Sequence, residues 1–377
     1  IKEKLIFTDQ LNNLIGCSVF IICVPTPVDS FNVPNLKALK SATNAIGDIL
    51  KIKESSYENK NVSVIIYEST VFPGVTEDIC CKIIENKINS NLGEKFVLGY
   101  SPERVNPGIS SKQDLTNITK ITSGSDERTR AWVNKFYSMI IKSGTFSAAS
   151  IKIAEAAKIV ENIQRDINIA LVNELSLLFN SMGIDTNDVI DAASTKWNFV
   201  PFRPGLVGGH CIGVDPYYLS YIAEKFKIHT ELIKSGRRIN DNMAGWLARS
   251  IVKNYFKKSE KINSKNVLIL GACFKENCPD VRNSQSILLS KIMKSYGFQV
   301  EVVDQLAHKY GNKVVDEIKI NQYPQNKNGY GIVICAVAHE DYINWSKEDL
   351  LNLKNNQHAI LFDVKNVMPR ELNPLRL

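Results

Sequence analysis

No stretch of this sequence stays apolar for the roughly 20 residues that a bilayer-crossing helix needs. The amino-terminal IKEKLIFTDQ has no signal-peptide h-region either. A membrane partner is therefore not expected. Eight cysteines, at 17, 23, 80, 81, 211, 273, 278 and 335, lack the short paired spacings of a zinc site, and several lie inside apolar runs. That usage predicts no metal and a reducing, cytoplasmic location. Tandem repeats and low-complexity tracts are missing as well. The net charge of +7 comes from lysines spread along the chain rather than from dense clusters, which argues against a nucleic-acid partner and for a small anionic ligand. Apolar material is plentiful: at 44% of 377 residues it buries a substantial core, and the length suits two or three domains.

The first 125 residues alternate short apolar runs with amphipathic segments, as parallel βαβ units do. CSVFIICVP (17–25), VSVIIYEST (62–70) and KFVLGYSPE (95–103) read as buried strands that end in polar or proline-containing residues. Ligands of open α/β sheets bind at such carboxyl ends. A long helix is predicted over 150–182, stopped by Gly183 and extending roughly 50 Å at 1.5 Å per residue. Its length suits a domain link or a dimer seam. More helix follows to about 258, interrupted by one loop. Strand-like runs then resume at 267–274, 298–304, 331–339 and 359–365. The expected fold class is α/β, with two Rossmann-like domains joined by a long central helix and a helical middle domain. The boundaries are set at 1–149, 150–258 and 259–377.

The interrupting loop holds GGHCIGVDP (208–216). A structural cysteine is normally embedded among bulky apolar neighbours, whereas Cys211 follows two glycines that permit close approach. The residues leave two readings open, a buried loop thiol or a nucleophile whose thiolate is favoured by His210 or a nearby lysine. Asp215 is placed to orient a water or hold a partner side chain. On the long helix Lys158, Asn162 and Arg165 are spaced i, i+4 and i+7, so they share one face. A polar stripe on an otherwise apolar helix either faces water or lines a polar cavity, because a buried unpaired cation is too costly. In SPERVNPG (101–108), Glu103 suits a general base and Arg104 an anion contact, against the plain alternative of a surface turn. ESTVFPG (68–74) brings the Ser69 and Thr70 hydroxyls to a strand end. GACFKENCPDVRNS (271–284) leads a strand through Lys275 and Arg282 into a helix, a setting that suits a diphosphate. Cys278 in that loop is read as structural.

Together these segments resemble the UDP-glucose/GDP-mannose dehydrogenase family, in its branch acting on UDP-N-acetylglucosamine and UDP-N-acetylgalactosamine. The likeness runs through VPTP (24–27), ESTVFPG, GYSPERVNPG (99–108), AEAAKIVENIQRDINIALVNEL (154–175), TKWNFVPFRPGLVGGHCIGVDPYYL (195–219), GRRIND (236–241), FKENCPDVRNS (274–284) and FDVK (362–365). It implies a four-electron oxidation of a sugar C6 alcohol to a carboxylate with NAD as cofactor, in capsule or O-antigen synthesis. Cys211 is then the nucleophile, with Lys158, Asn162, Asp215, Glu103 and Thr70 as its catalytic company. Arg104, Val105, Arg165, Asn198, Phe199, Gly208 and Lys275 match substrate positions, and Pro25, Thr26, Thr70 and Arg282 match positions around NAD. The implied partners are the UDP-sugar and a second copy of the chain in a homodimer or higher homo-oligomer. The family opens with a strand and a G-x-G-x-x-G turn, and no such fingerprint occurs in these 377 residues. The expectation is therefore an additional segment before Ile1, without which the first domain folds poorly and holds NAD weakly. Gln305 also stands where the family has a proline after the strand-ending Asp304, and residues 86–96 look short. Two alternatives stay open: a catalytically inactive nucleotide-sugar-binding or scaffolding subunit, and a thiol acyl hydrolase.

Overall fold

The computed structural model describes residues 5–55, 61–104 and 115–377. They divide into two compact units. The first contains the described residues up to Glu161 together with Tyr217–His229, and the second contains Asn162–Pro216 and Thr230–Leu377. Residues of the expected middle segment, 150–258, are thus shared between the two.

In the first unit β1 (Val19–Ile22), β2 (Ser63–Tyr67) and β3 (Phe96–Tyr100) are parallel and adjacent in that order. They are the three expected strands trimmed to their apolar centres. Helices α1 (Lys37–Ser55) and α2 (Cys81–Ile88) follow β1 and β2. Two more strands complete the sheet: β4 (Lys120–Gly124), antiparallel to β3, and β5 (Thr145–Ser147), parallel to β4. The sequence reading missed β4 because its buried positions are polar. Thr122 bonds Asn134 at 2.9 Å and Ser123 bonds the Tyr100 carbonyl at 2.8 Å, so hydroxyls sit inside without cost. Between β4 and β5 lies α3 (Glu127–Ser138), started by Asp126, whose carboxylate accepts the Thr129 N–H at 2.8 Å. Among the described strands β1 stands at one end of this sheet, and Ile21 on it is 44% exposed.

The long helix α4 (Ile151–Met182) has 32 residues, close to the expected 150–182. After it come α5 (Thr186–Ala193), α6 (Asp215–Lys225), α7 (Glu231–Phe256) and α8 (Ser259–Ile262). A seven-stranded sheet follows, built from β6 (Asn266–Leu270), β7 (Gln299–Val303), β8 (Val314–Val315), β9 (Ile318–Asn321), β10 (Ile332–Cys335), β11 (Ile360–Asp363) and β12 (Leu375–Arg376). Helices α9 (Gln285–Ser295), α10 (Gln305–Lys309), α11 (Glu340–Ile343) and α12 (Lys347–Leu351) lie between its strands in the chain. The strand order is β12-β11-β10-β6-β7-β9-β8. From β6 the chain moves one way to β7 and later returns to the other side of β6 with β10. That reversal is a topological switch point, where a crevice opens at the carboxyl ends of β6 and β10. One face of the sheet packs with Met243, Leu247 and Ile251 of α7, and the other with Tyr330, Tyr342 and Leu350.

Candidate active site

In the second unit the site starts from α4. Asn162 is buried, and its amide Nδ2 donates to Asp215 Oδ2 at 2.5 Å. Asp215 is 1% exposed, and its own N–H bonds the Cys211 carbonyl at 2.8 Å. A single turn of backbone therefore separates the thiol from the carboxylate that grips Asn162. Cys211 itself is half-buried, neither sealed in hydrocarbon nor fully in water. Arg165, on the same helix, is half-buried, and Lys158, which belongs to the first unit, is buried. Neither Lys158 nor Asn162 is thus on a solvated face.

The loop before Cys211 needs its glycines. A Cβ on Gly208 would come within 2.6 Å of the Asn283 carbonyl oxygen, and one on Gly209, at φ +84°, within 2.7 Å of the Phe274 ring. Asn283 Nδ2 donates to the Gly209 carbonyl at 3.1 Å. The 208–211 and 271–283 loops are therefore packed backbone to backbone. His210 points to Asp280, with Nδ1 3.6 Å from Oδ2. Asp280 is also held by Arg282, whose Nε lies 3.0 Å from Oδ1 and whose Nη2 lies 2.5 Å from Oδ2. Burial works against the Asp280 charge, yet the Arg282 hydrogen bonds keep its carboxyl below the usual carboxylate range. Farther along α4, Asn173 bonds both backbone groups of Gly205, accepting its N–H at 2.8 Å and donating to its carbonyl at 3.0 Å. GRRIND supplies the brace: Arg237 Nη1 lies 2.6 Å from Asp166 Oδ1, and Asn240 Nδ2 lies 2.7 Å from the same oxygen. Asn240 Oδ1 in turn accepts from Asn173 at 2.8 Å. Gly208, Cys211, Asn162, Asp215, Arg165, Lys275 and Arg282 all belong to this unit, as do Asn198 and Phe199, which are exposed.

In the first unit the ends of β1 and β2 are knitted by hydroxyls. Thr26 Oγ1 donates to the Thr70 carbonyl at 2.6 Å, and Ser69 Oγ to the Val24 carbonyl at 2.7 Å. Pro25 is exposed there, with Thr26 and Thr70 half-buried. This rim lies at the carboxyl ends of parallel strands, where ligands of open α/β sheets bind. Glu103, just past β3, is exposed; Arg104 is paired with Glu161 of α4 at 2.6 Å. Val105 lies outside the described residues.

Sequence reasoning missed two buried groups here. Glu155 of α4 accepts the N–H groups of Gly74 at 2.6 Å and Thr76 at 3.0 Å, and so fastens the ESTVFPG turn. Burial pushes its carboxyl up to about 7, against the opposing hydrogen bonds from Thr76 and Gly74. Its spacing from Lys158 and Asn162, i, i+3 and i+7, was the available signal. At the strand ends Lys120 Nζ lies 3.2 Å from Glu68 Oε1 and donates to the Pro102 carbonyl at 3.2 Å, while Tyr137 bonds Glu68. No local pattern foretells that cluster, because its members come from four separate segments.

Two α/β units, one with a hydroxyl-lined rim and the other with a switch-point crevice next to a loop-borne thiol, define a nucleotide-dependent oxidoreductase. Family models agree along the chain: the NAD binding domain of the UDP-glucose/GDP-mannose dehydrogenase family matches residues 1–141, its central domain 152–242 and its UDP binding domain 268–370. The UDP-N-acetyl-D-glucosamine 6-dehydrogenase of Salmonella typhi is 42% identical over 98% of this chain and 84% of its own length. That of Pseudomonas aeruginosa is 43% identical over 100% of this chain and 86% of its own. Among solved structures, a UDP-D-ManNAc dehydrogenase from Pyrococcus horikoshii superposes with a TM-score of 0.81 at 28% identity, over 96% of this chain and 80% of that one. The chain belongs to the UDP-glucose/GDP-mannose dehydrogenase family, whose cofactor is NAD.

Proposed function

We propose that this protein oxidises the C6 hydroxyl of a UDP-N-acetylhexosamine, N-acetylglucosamine or N-acetylgalactosamine, to the carboxylate, in the cytoplasm, for capsule or O-antigen synthesis. The names of the two bacterial relatives support the sugar class. The observation that carries the chemistry is the Asn162–Asp215 hydrogen bond. It joins Asn162 of α4 to the turn that begins with Cys211, which supports a site in which that thiol and that amide act together.

NAD, when bound, would supply the hydride acceptor for both oxidations, and Pro25, Thr26, Thr70 and Arg282 would be the residues that hold it. Cys211 Sγ bonds the C6 aldehyde carbon to give a thiohemiacetal, and the second oxidation leaves a thioester for water to cleave. Lys158 and Asn162 donate to the C6 oxygen while it carries negative charge, with Lys158 also moving a proton. Asp215 fixes the Asn162 amide and assists the water. Glu103 acts as base for thioester hydrolysis, with Thr70 holding the water. Arg104, Arg165, Asn198, Phe199, Gly208 and Lys275 contact the nucleotide sugar. The three segments 1–149, 150–258 and 259–377 divide the work into cofactor binding, the thiol-bearing centre and UDP binding.

The assembly we infer is a homodimer. Leu171, Leu178 and Met182, spaced seven and four residues apart on one face of α4, are 54%, 54% and 59% exposed. An apolar helical stripe of this kind suits a second copy. The deciding experiment supplies NAD and each UDP-hexosamine to the protein and counts NADH. Two NADH per sugar is the expected result. Sugar binding with no NADH would replace the enzyme by a scaffolding subunit.

A further inference from the structure

In the second unit the side chains of Cys273, Asp304 and His339 converge, with potential ligand atoms within 4.8 Å of one another and all three residues buried. The hydrogen bonds assign the cluster to something other than metal binding. Asp304 Oδ2 accepts the N–H groups of Ala272 at 2.7 Å and Cys273 at 3.0 Å and faces His339 Nε2 at 3.0 Å, while Oδ1 accepts Ala307 N–H at 2.8 Å. His339 Nδ1 accepts the Asn277 N–H at 3.0 Å. With Nδ1 accepting a backbone N–H and Nε2 facing Asp304, both ring nitrogens are engaged and neither is left for a cation. Burial, with the Asp304 charge second, pushes the Cys273 thiol far up, so no thiolate is on offer.

We propose that Asp304 and His339 are a positioning pair that sets the geometry of the Lys275 loop for nucleotide-sugar binding, an inference resting on the function proposed above. The pair ties together three loops at the switch point: the one after β6, the Asp304 turn after β7, and the His339 turn after β10. Anchors at Ala272–Cys273 and at Asn277 fix both ends of a three-residue span, Phe274–Lys275–Glu276. Asn277, at φ +54°, is held from its other side by the Glu340 N–H at 3.1 Å. Within the span, Glu276 pairs with Lys365 at 2.8 Å, and Phe274 is the ring against which Gly209 rests. Fixing the span therefore fixes Lys275 and, through Phe274, Gly208 and Gly209 just before His210 and Cys211.

The test compares the wild type with His339→Ala, His339→Gln and Asp304→Asn, each checked for a wild-type circular dichroism spectrum. UDP alone is titrated calorimetrically, and KM and kcat are then measured for NAD and for the UDP-hexosamine. Losing the imidazole is expected to weaken UDP by about tenfold or more, the scale of an unmade buried hydrogen bond. Glutamine, which keeps a donor toward Asp304, is expected to come back within about threefold of wild type. The sugar KM rises in His339→Ala and Asp304→Asn while the NAD KM stays put. Equal UDP binding by wild type and by whichever of those two variants folds would overturn the proposal, as would a uniform loss in every constant or a glutamine variant no better than alanine. A wild-type protein that does not bind UDP would instead overturn the nucleotide-sugar reading itself, and this inference with it.

Discussion

The two sheets make an instructive pair. In the seven-stranded sheet β6 lies between β10 and β7, and the reversal of strand order places a crevice inside one unit, with Asp304 bonding the loops on both of its sides. In the five-stranded sheet the described strands run β1-β2-β3 in simple succession, with no reversal among the described residues, and the rim carrying Thr26 and Thr70 borders the edge strand. Among the described strands only the seven-stranded sheet has a switch point of the kind at which ligands of open α/β sheets bind, and strand order tells the two sheets apart before any side chain is considered.

The sharpest contrast comes from removing the sulfur. Cys211→Ser keeps the second unit intact but takes away the atom that bonds C6, and NADH formation from the UDP-hexosamine is expected to fall at least about a thousandfold. UDP binding by calorimetry should stay at the wild-type level, because the change exchanges one sulfur for an oxygen and leaves the glycines that pack against Phe274 and Asn283 in place. Native turnover by the variant would remove the thioester route. Next in size is Asp166→Ala, which takes from the buried Arg237 guanidinium one of its two carboxylate partners, leaving Asp241, and loosens Asn240 and Asn173 behind the Gly205 loop. Breaking one partner of a buried pair costs about 3–5 kcal/mol. Urea unfolding should show that loss; a midpoint unchanged from wild type would mean the brace is idle.

Much of this was legible in the sequence. All seven apolar runs read as strands are strands, and the helix expected at 150–182 begins and ends within a residue of that range. Apolar runs bounded by turn residues report burial directly, and helical spacing put Lys158 and Asn162 together. What stayed hidden was long-range and polar. β4 buries Lys120, Thr122 and Ser123, whose partners lie on other segments, so no local window separates it from a loop. Whether the α4 stripe met water or protein was likewise undecidable until Asp215, 53 residues away, was seen to bond Asn162. The GRRIND segment was noticed by resemblance alone, and its role follows only from Asp166 and Asn173 on another helix.

Glu155 offers a probe confined to the first unit. Its carboxyl is raised from 4.5 to about 7, chiefly by burial. Between those values the folded protein keeps a proton that the unfolded chain releases, so the contribution is fully present below about 4.5 and is lost as pH rises through about 7. A shift of this size corresponds to something on the order of 3 kcal/mol. Glu155→Gln has no proton to lose. Its unfolding free energy should therefore change less between pH 5 and pH 8 than that of the wild type, and parallel curves for the two proteins would rule out a titrating Glu155.

The smallest expected effect bears most directly on the comparison. Phe20 and Ile22 of β1 are each 5% exposed, whereas Ile21 between them is 44% exposed; on β10 of the other sheet all four residues are buried. A strand's side chains alternate faces, so Ile21 reports whether the outer face of the five-stranded sheet is covered. If that face is open, Ile21→Lys removes apolar surface that was never fully dry, and stability should change by no more than about 0.5 kcal/mol. The added charge should also lower any concentration-dependent association that runs through this exposed apolar side chain. Guanidinium unfolding and light scattering over a range of protein concentrations measure both. A loss above about 2 kcal/mol would mean that the position is desolvated, and the five-stranded sheet would then be as enclosed as its partner.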